Sequence, residues 1–298
     1  MSLNWSDVVS LTIPEGEVTA VDINGVQVWS ADTLNQVFYY APEQQTLFSN
    51  TGVASHTFEN GKGIITYNKN ITTMPETLRG TAITDVGMPD NVTRIGDHAF
   101  SNCTSLALTS LPADVTSIGE WAFDDCTALA LTSLPAGLGY IGRGAFEGCT
   151  SLALTSLPSG IGPIAARAFE GCTSLALTSL PARVTGIDGS AFAGCTSLAL
   201  TSLPAGFHSS IGVNAFSRCT SLALTSLPAG VTNISDYAFS KCTSLIELTF
   251  LGTPNRISAY AFSGCANLTT IRVPWSEGDV ADAPWGATNA TIIYNYTV

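Results

Sequence analysis

The segment CTSLALTSLP stands at residues 103–112, and it recurs unchanged at 149–158, 172–181, 195–204 and 219–228. A further copy at 126–135 differs by Ala128. An Ala-Phe pair precedes each copy, and its phenylalanine returns every 23 residues with one step of 24: Phe100, Phe123, Phe146, Phe169, Phe192, Phe216, Phe239 and Phe262. The extra residue falls around Phe207 and His208, where we expect a bulge from a turn. Repetition at this period predicts a solenoid of stacked units.

Each unit divides into two parts with different apolar patterns. Residues 106–111 have the length of a strand, which Pro112 closes. The second part carries apolar residues at offsets of four, five and eight, typical of one face of a short helical turn: Ile118, Ala122, Phe123 and Cys126. Neither part can bury its apolar side within one unit, so we expect the units to share one continuous core.

The units resemble the BspA-like class of bacterial leucine-rich repeats, which carry the same succession of Ile-Gly, Ala-Phe, Cys-Thr-Ser-Leu and a strand ending in Pro. The resemblance covers about residues 64 to 274. It implies a right-handed leucine-rich-repeat solenoid, β-rich α/β in class, with a parallel sheet along one side. It also implies surface adhesion or recognition, although a repeat fold hosts many tasks.

Three parts follow from this pattern. Residues 1–60 are predicted to form an N-terminal β-hairpin module for docking, because Asn24-Gly25 between alternating apolar residues favours a type I′ turn. Residues 61–274 are the solenoid of about eight 23-residue units, and 64–74 look like a degenerate capping repeat. Residues 275–298 are predicted to form a C-terminal cap with two tryptophans and a final strand.

The cysteines share one column of the repeat: Cys103, Cys126, Cys149, Cys172, Cys195, Cys219, Cys242 and Cys265. Stacked coils lie about 4.8 Å apart with parallel side chains, whereas a disulfide needs its Cβ atoms about 3.8 Å apart and turned toward each other. We therefore predict a ladder of buried free thiols. Zinc is not expected, because no unit offers a His or a second Cys beside the first.

A row of leucines in the middle repeats allows two registers. Aligned on the end strands at 83–88 and 245–250, six threonines from Thr109 to Thr225 point inward and the preceding leucines face out: Leu108, Leu131, Leu154, Leu177, Leu200 and Leu224. Such an exposed stripe would be a partner interface and a route to a homo-oligomer. In the alternative, a shifted strand turns these leucines inward. The sequence leaves both registers open.

Charge and composition narrow the function classes. The formal net charge is −12 with only 11 Lys and Arg, so we expect no nucleic-acid partner. The first residues lack the features of a secretory signal, and no apolar run reaches the roughly 20 residues of a membrane span. His56, His98 and His208 are isolated, and no metal-ligand spacing or phosphate loop appears. We expect neither an enzyme, nor a cofactor, nor membrane insertion.

The constant frame carries a variable row at the two positions before Ala-Phe. The predicted binding residues in this varied row are His98, Glu120, Trp121, Arg143, Arg167, Asn214, Tyr237 and Tyr260. Aromatic side chains give large contact areas at low entropic cost, which favours a recognition surface. Solvent positions that drift freely would produce the same variation. A protein or a glycan on a cell surface is the partner that fits the first interpretation.

The two ends of the chain resemble repeat proteins of phages and prophages of gut bacteria. This resemblance implies an attachment protein of a tail or virion, made in the cytoplasm without a signal peptide, which acts on the virion or an extracellular surface. The N-terminal module would then dock to other virion proteins. Two alternatives are a purely structural, capsid-decorating protein and a bacterial surface adhesin.

Overall fold

The computed structural model of the chain describes residues 21–23, 26–28, 35–49 and 51–297. Strands β1 (Val21–Ile23) and β2 (Val26–Val28) pair antiparallel, with Ile23 opposite Val26. This register leaves two residues between the strands, as a tight hairpin requires. The turn residues Asn24 and Gly25 themselves lie outside the described residues.

An antiparallel sheet covers the N-terminal end of the solenoid. It contains β3 (Gln36–Tyr40), β4 (Val53–Glu59) and β5 (Lys62–Tyr67). After β6 (Thr73–Met74) and a 3-10 turn at Glu76–Leu78, the first repeat strand β7 (Asp85–Gly87) joins it, giving the order β4-β5-β3-β7. Because β3 pairs with β7, residues on both sides of position 60 belong to one sheet that is continuous with the repeats.

The repeats contribute short strands in two columns: β8 (Arg94–Ile95), β9 (Ser117–Ile118), β10 (Tyr140–Ile141), β11 (Ser226–Leu227), β12 (Asn233–Ile234), β13 (Glu247–Phe250), β14 (Arg256–Ile257), β15 (Thr270–Arg272) and β16 (Thr291–Ile293). In the first column β6, β8, β9 and β10 pair in parallel, as do β12 and β14. Single parallel bridges run along the same column from Ile164 to Ile234. The predicted parallel solenoid is confirmed.

The second column is a regular sheet only near the C-terminal end, where β11, β13, β15 and β16 pair in parallel. In the middle coils the LALTSL segment makes one backbone bond to the coil before it. The N–H of Ala153, for example, donates to the carbonyl oxygen of Leu131 at 3.2 Å. The side of the solenoid formed by the LALTSL segments is therefore held mainly by side-chain packing in these coils.

The predicted helical turn, and with it the α/β assignment, is wrong. Seven of the eight segments that contain the Ala-Phe pair have two residues with left-handed backbone angles, for example Trp121 at φ 55° and Asp125 at φ 54°. A right-handed helix has no such residues. Within the described ranges, the short 3-10 turn at Glu76–Leu78 is the only helical element. The segment is instead a run of consecutive turns.

Backbone hydrogen bonding gives the physical reason for these turns. The N–H groups of Trp121, Phe123 and Asp125 donate to carbonyl groups of the next coil, at 2.7–2.9 Å. Those of Asp124 and Cys126 donate within their own coil, three residues back. A helix of this length would leave its first four N–H groups without an internal partner. Alternating the donors between the two coils joins the stack along this side.

Of the two registers that the sequence leaves open, the shifted one holds, and the exposed leucine stripe of the other is wrong. The six leucine side chains of this row are at most 7% exposed: Leu108, Leu131, Leu154, Leu177, Leu200 and Leu224. The threonines that follow them are exposed, as Thr109 and Thr155 are. In the coil that contains β13, the two successive outward residues Ile246 and Glu247 come before the second inward residue, whereas in the first of the LALTSL coils Thr109 and Ser110 come after it. The alternation of inward and outward side chains is thus broken at a different point.

Two ladders of identical side chains form the centre of the core. The phenylalanine rings of the Ala-Phe column stack from Phe100 to Phe262, with centroids 5.2–5.6 Å apart. The eight cysteines are buried and free, which confirms the predicted thiol ladder. Trp275 and Trp285 close the C-terminal end, where both pack against Phe250.

Candidate recognition surface

The varied row lies on the run of turns that precedes the phenylalanine ladder. Tyr260 is 56% exposed and Tyr237 is 41% exposed, and Glu120 and Arg143 are also exposed. The other predicted binding residues are half-buried: His98, Trp121, Arg167 and Asn214. Every predicted position of the row therefore reaches the surface, although only four of the eight side chains are fully presented there.

Backbone bonds between coils hold this row in line. The N–H of His98 donates to the carbonyl oxygen of Glu120 at 2.9 Å, and the N–H of Trp121 donates to that of Arg143 at 2.9 Å. Further along, the N–H of Asn214 reaches the carbonyl oxygen of Asp236 at 3.0 Å. Successive coils therefore present one side chain each along a line parallel to the solenoid axis.

Most of the row has left-handed backbone angles. His98, Trp121, Arg167, Asn214 and Tyr237 have φ between 55° and 59°. Asparagine adopts this conformation readily, but for most side chains it costs about 1 kcal/mol or more. The fold therefore accepts a local cost at these positions to hold large side chains at the surface.

Toward the N-terminal end of the row, Arg143 lies over the aromatic ring of Trp121. The guanidinium carbon of Arg143 lies 5.8 Å from the centre of the Trp121 ring. The ring rests on the backbone of Gly144, where an added Cβ would come within 2.2 Å of its Cε3 atom. A glycine at this point of the neighbouring coil allows Trp121 to lie flat, which explains why it is half-buried.

Arg167 is turned toward a column of acidic side chains. Its Nη1 atom lies 3.2 Å from Oε1 of Glu147 and 3.5 Å from Oε2 of Glu170. Burial, followed by the charge of Glu170, raises the pKa of the Glu147 carboxyl, and burial with the neighbouring Asp125 raises that of Asp124. Arg167 is thus already engaged within the molecule and offers less to a partner than the sequence suggests.

The C-terminal part of the row holds two stacked tyrosines, and Asp236 and Ser258, which come just before them in the chain, line a groove. The ring centroids of Tyr237 and Tyr260 are 5.4 Å apart, with 15° between the ring planes. The groove has a volume of about 310 Å³ and is lined mostly by polar residues, among them Ser210, Asn233, Asp236, Arg256 and Ser258. Sequence reasoning did not select these lining residues. Variation at the position before the repeated isoleucine, where Tyr140 and Arg256 stand, would have been a signal.

In the part of the chain that the structure describes, no three His, Cys, Asp or Glu side chains are grouped to hold a metal ion. In the same ranges no helix has the length and apolarity to cross a bilayer.

Comparison with known proteins places the repeats in a defined class. The model of the BspA type leucine rich repeat region matches residues 71–199 and 163–282. No curated protein matches the chain significantly. Among solved structures, a leucine-rich repeat protein from Bacteroides ovatus is 24% identical and has a TM-score of 0.51, covering 82% of this chain and 67% of its own. That likeness supports the fold.

Two other solved structures are more distant in shape. A leucine rich cell surface protein from Faecalibacterium prausnitzii is 22% identical, with a TM-score of 0.47 and coverage of 86% of this chain and 97% of its own. A leucine rich repeat protein from T. pallidum is 32% identical, with a TM-score of 0.40 and coverage of 66% of this chain and 76% of its own.

Proposed function

Because the chain belongs to the BspA-type leucine-rich repeat family, we propose that it is a recognition protein without a catalytic site. It binds a protein or glycan of a cell surface through the varied row. The buried columns are nearly identical from coil to coil, whereas the side chains of the varied row differ and all reach the surface.

The observation that carries this proposal is the placement of large side chains at strained positions. Ser190 and Gly144 show that small residues fit the same column. Trp121 and Tyr237 instead stand there at positive φ. Large aromatic residues supply most of the binding energy when a partner buries them. Backbone strain kept at aromatic positions that reach the surface favours a role in binding.

We further propose that the protein is a phage-type tail or virion component, whose N-terminal module docks to the particle and whose solenoid meets the host. The resemblance of the chain ends to repeat proteins of phages and prophages supports this version. A structural virion protein and a bacterial adhesin are its rivals. Immunogold labelling distinguishes them, since a virion component is labelled on particles and an adhesin on cell envelopes. Label on particles without any binding to cells would favour the structural role.

The test of recognition is binding of the purified, amine-labelled chain to a panel of intact gut bacteria. Replacing Trp121, Tyr237 and Tyr260 together by Ser should abolish binding to any strain that the parent binds. A circular dichroism melt checks that the variant folds, because the half-buried Trp121 ring packs on Gly144 and its loss removes some buried apolar area.

Tyr140→Ser is the matched control. Tyr140 is 52% exposed but stands in the column before the isoleucines, outside the varied row. This variant should bind as the parent does. Equal binding by the triple variant and the parent would refute the varied row as the recognition surface.

A further inference from the structure

We infer that Tyr237 and Tyr260, together with the groove beside them, form a binding site for a neutral glycan. This inference rests on the proposed function, because it assigns a ligand class to the C-terminal part of the varied row. The site combines an exposed aromatic platform with a set of hydrogen-bonding groups. The platform suits the apolar faces of a sugar ring, and the hydrogen-bonding groups suit its hydroxyls.

The aromatic platform supplies the apolar contact. Tyr237 and Tyr260 stack against each other at 5.4 Å and still leave 41% and 56% of their surface exposed. A sugar ring presents aliphatic C–H groups on its faces, which pack well on aromatic rings. The phenolic hydroxyls remain available for hydrogen bonds, as expected of a tyrosine with one apolar and one polar end.

The groove supplies the polar contacts. Asp236 and Arg256 are both exposed and both line it, and in the described part of the chain Arg256 forms no ion pair. A carboxylate accepts hydrogen bonds from two hydroxyl groups and a guanidinium donates several. Such a pair can bind the neighbouring hydroxyls of one sugar.

Hydrogen bonds within the groove hold its polar groups in place. The hydroxyl of Ser258 donates to Oδ1 of Asp236, and Oδ2 has no bond of its own among the described residues. Nδ2 of Asn233 donates to the hydroxyl of Ser210 at 3.1 Å. These contacts limit the freedom that the side chains would lose on binding, which favours recognition of a small polar ligand.

Size and charge favour a neutral sugar over other ligands. A volume of about 310 Å³ lies at the lower end of the range for small-molecule sites, and it suits one or two sugar rings. Ser210, one of the residues that line the groove, belongs to the coil of 24 residues, which is one residue longer than the others. The charges of Asp236 and Arg256 balance within the groove, and the net charge of −12 of the protein disfavours sulfated or sialylated chains by repulsion.

The test uses an array of short neutral oligosaccharides built on glucose, galactose, mannose and N-acetylglucosamine, with sialylated and sulfated glycans for comparison. We expect binding to at least one neutral class, with the affinity then measured by calorimetry. The double variant Tyr237→Asn, Tyr260→Ser places in this column residues that it already carries, Asn214 and Ser190. It should bind that glycan about tenfold more weakly or worse.

Two single variants sharpen the result. Asp236→Asn keeps the size of the side chain but removes its charge and half of its acceptors, and it should also weaken binding. Tyr140→Ser, on a different coil and column, should leave the affinity unchanged. Unchanged affinity in the tyrosine double variant, or binding confined to sulfated or sialylated glycans, would overturn the assignment.

The failure of this inference can be told apart from failure of the proposed function. If no glycan of the array binds while the Trp121, Tyr237 and Tyr260 triple variant still loses cell binding, a protein partner is favoured and only the glycan assignment is refuted. If the triple variant keeps its cell binding and the array shows no binding, both proposals are refuted.

Discussion

The thiol of Cys172 donates a hydrogen bond to the backbone carbonyl oxygen of Phe146 in the preceding coil, with sulfur and oxygen 3.0 Å apart. The same contact recurs in six other coils, from Cys126 to Cys265. Each thiol is thus directed toward a carbonyl group and away from the next sulfur. The cysteine ladder therefore links neighbouring coils by hydrogen bonds and leaves every cysteine free.

Burial of the thiols predicts instability in alkali. Burial raises the pKa of Cys265 to about 11 and that of Cys219 to about 12, from 9.0. At a pH between 9.0 and these values, the thiols of the unfolded chain lose protons that the thiols of the folded chain keep. The free energy of unfolding should therefore be insensitive to the thiols below about pH 8 and fall as pH rises above about 9. Urea denaturation across this range measures the slope.

Cys172→Ala tests whether the thiols cause this loss. Each buried thiol adds up to about 1.4 kcal/mol per pH unit to the slope, so removing one should make the slope smaller by about that amount. Other groups that titrate in alkali are unchanged in the variant. Parallel slopes for parent and variant would show that the thiols do not drive alkaline unfolding.

The phenylalanine ladder predicts a large local loss of stability. The ring of Phe169 lies 5.6 Å from that of Phe146 and 5.5 Å from that of Phe192, centroid to centroid, and it is fully buried. Phe169→Ala should reduce the free energy of unfolding by about 3–5 kcal/mol. Phe48→Ala, at a phenylalanine that is 54% exposed, should cost about 1 kcal/mol or less. Comparable losses in the two variants would contradict the stacked core.

Both ladders could be predicted from the sequence because a period of 23 residues places identical side chains in adjacent coils. The leucine register could not. Leu108 and Thr109 are neighbours in one LALTSL segment, and the end strands, with Val86 and Leu248 in the position of Thr109, favoured turning the threonine inward. Inward and outward side chains alternate along the segment except at one pair of successive outward residues. Whether this pair comes before or after the second inward residue depends on the space between coils. That space is a property of the whole stack.

The observed register predicts opposite outcomes at two adjacent positions. Leu154 is fully buried and Thr155 is exposed. Leu154→Glu should unfold the array or cost more than about 3 kcal/mol, because it buries an unpaired charge. Thr155→Glu should stay within about 1 kcal/mol. Circular dichroism melts of the two variants decide between the registers, and a tolerated Leu154→Glu would restore the exposed leucine stripe.

The groove beside the tyrosines was also beyond sequence reasoning. Asp236 and Tyr237 are adjacent in sequence, but Ser210 and Arg256 come from the two flanking coils. Their convergence depends on the lateral register of three coils, one of which is a residue longer. The varied row itself could be predicted, because its members occupy two adjacent columns of the repeat.

The run of turns in place of a helix gives the last prediction, and it concerns the residue before each cysteine. This position is occupied by Asn102, Asp125, Arg218, Lys241 and four glycines, and all have positive φ. Glycine, asparagine and aspartate are the residues that favour this conformation. Offsets of four, five and eight between apolar residues fit such turns as well as a helix, so the glycines were the more informative signal.

Gly171→Ala distinguishes the run of turns from a helix, because the two structures predict changes of opposite sign in the free energy of unfolding. In a helix, Gly to Ala stabilises by about 0.5–1 kcal/mol. At the observed φ of 75° the added Cβ would lie 3.6 Å from the backbone of Gly148, so space is sufficient and the backbone angle alone decides. The variant should therefore lose about 1–2 kcal/mol. Gly171→Asn should lose less, because Asn102 already stands at φ 62° in this column. Chemical denaturation of the three proteins should give the order parent, Asn, Ala, and an Ala variant more stable than the parent would mean that the segment is helical.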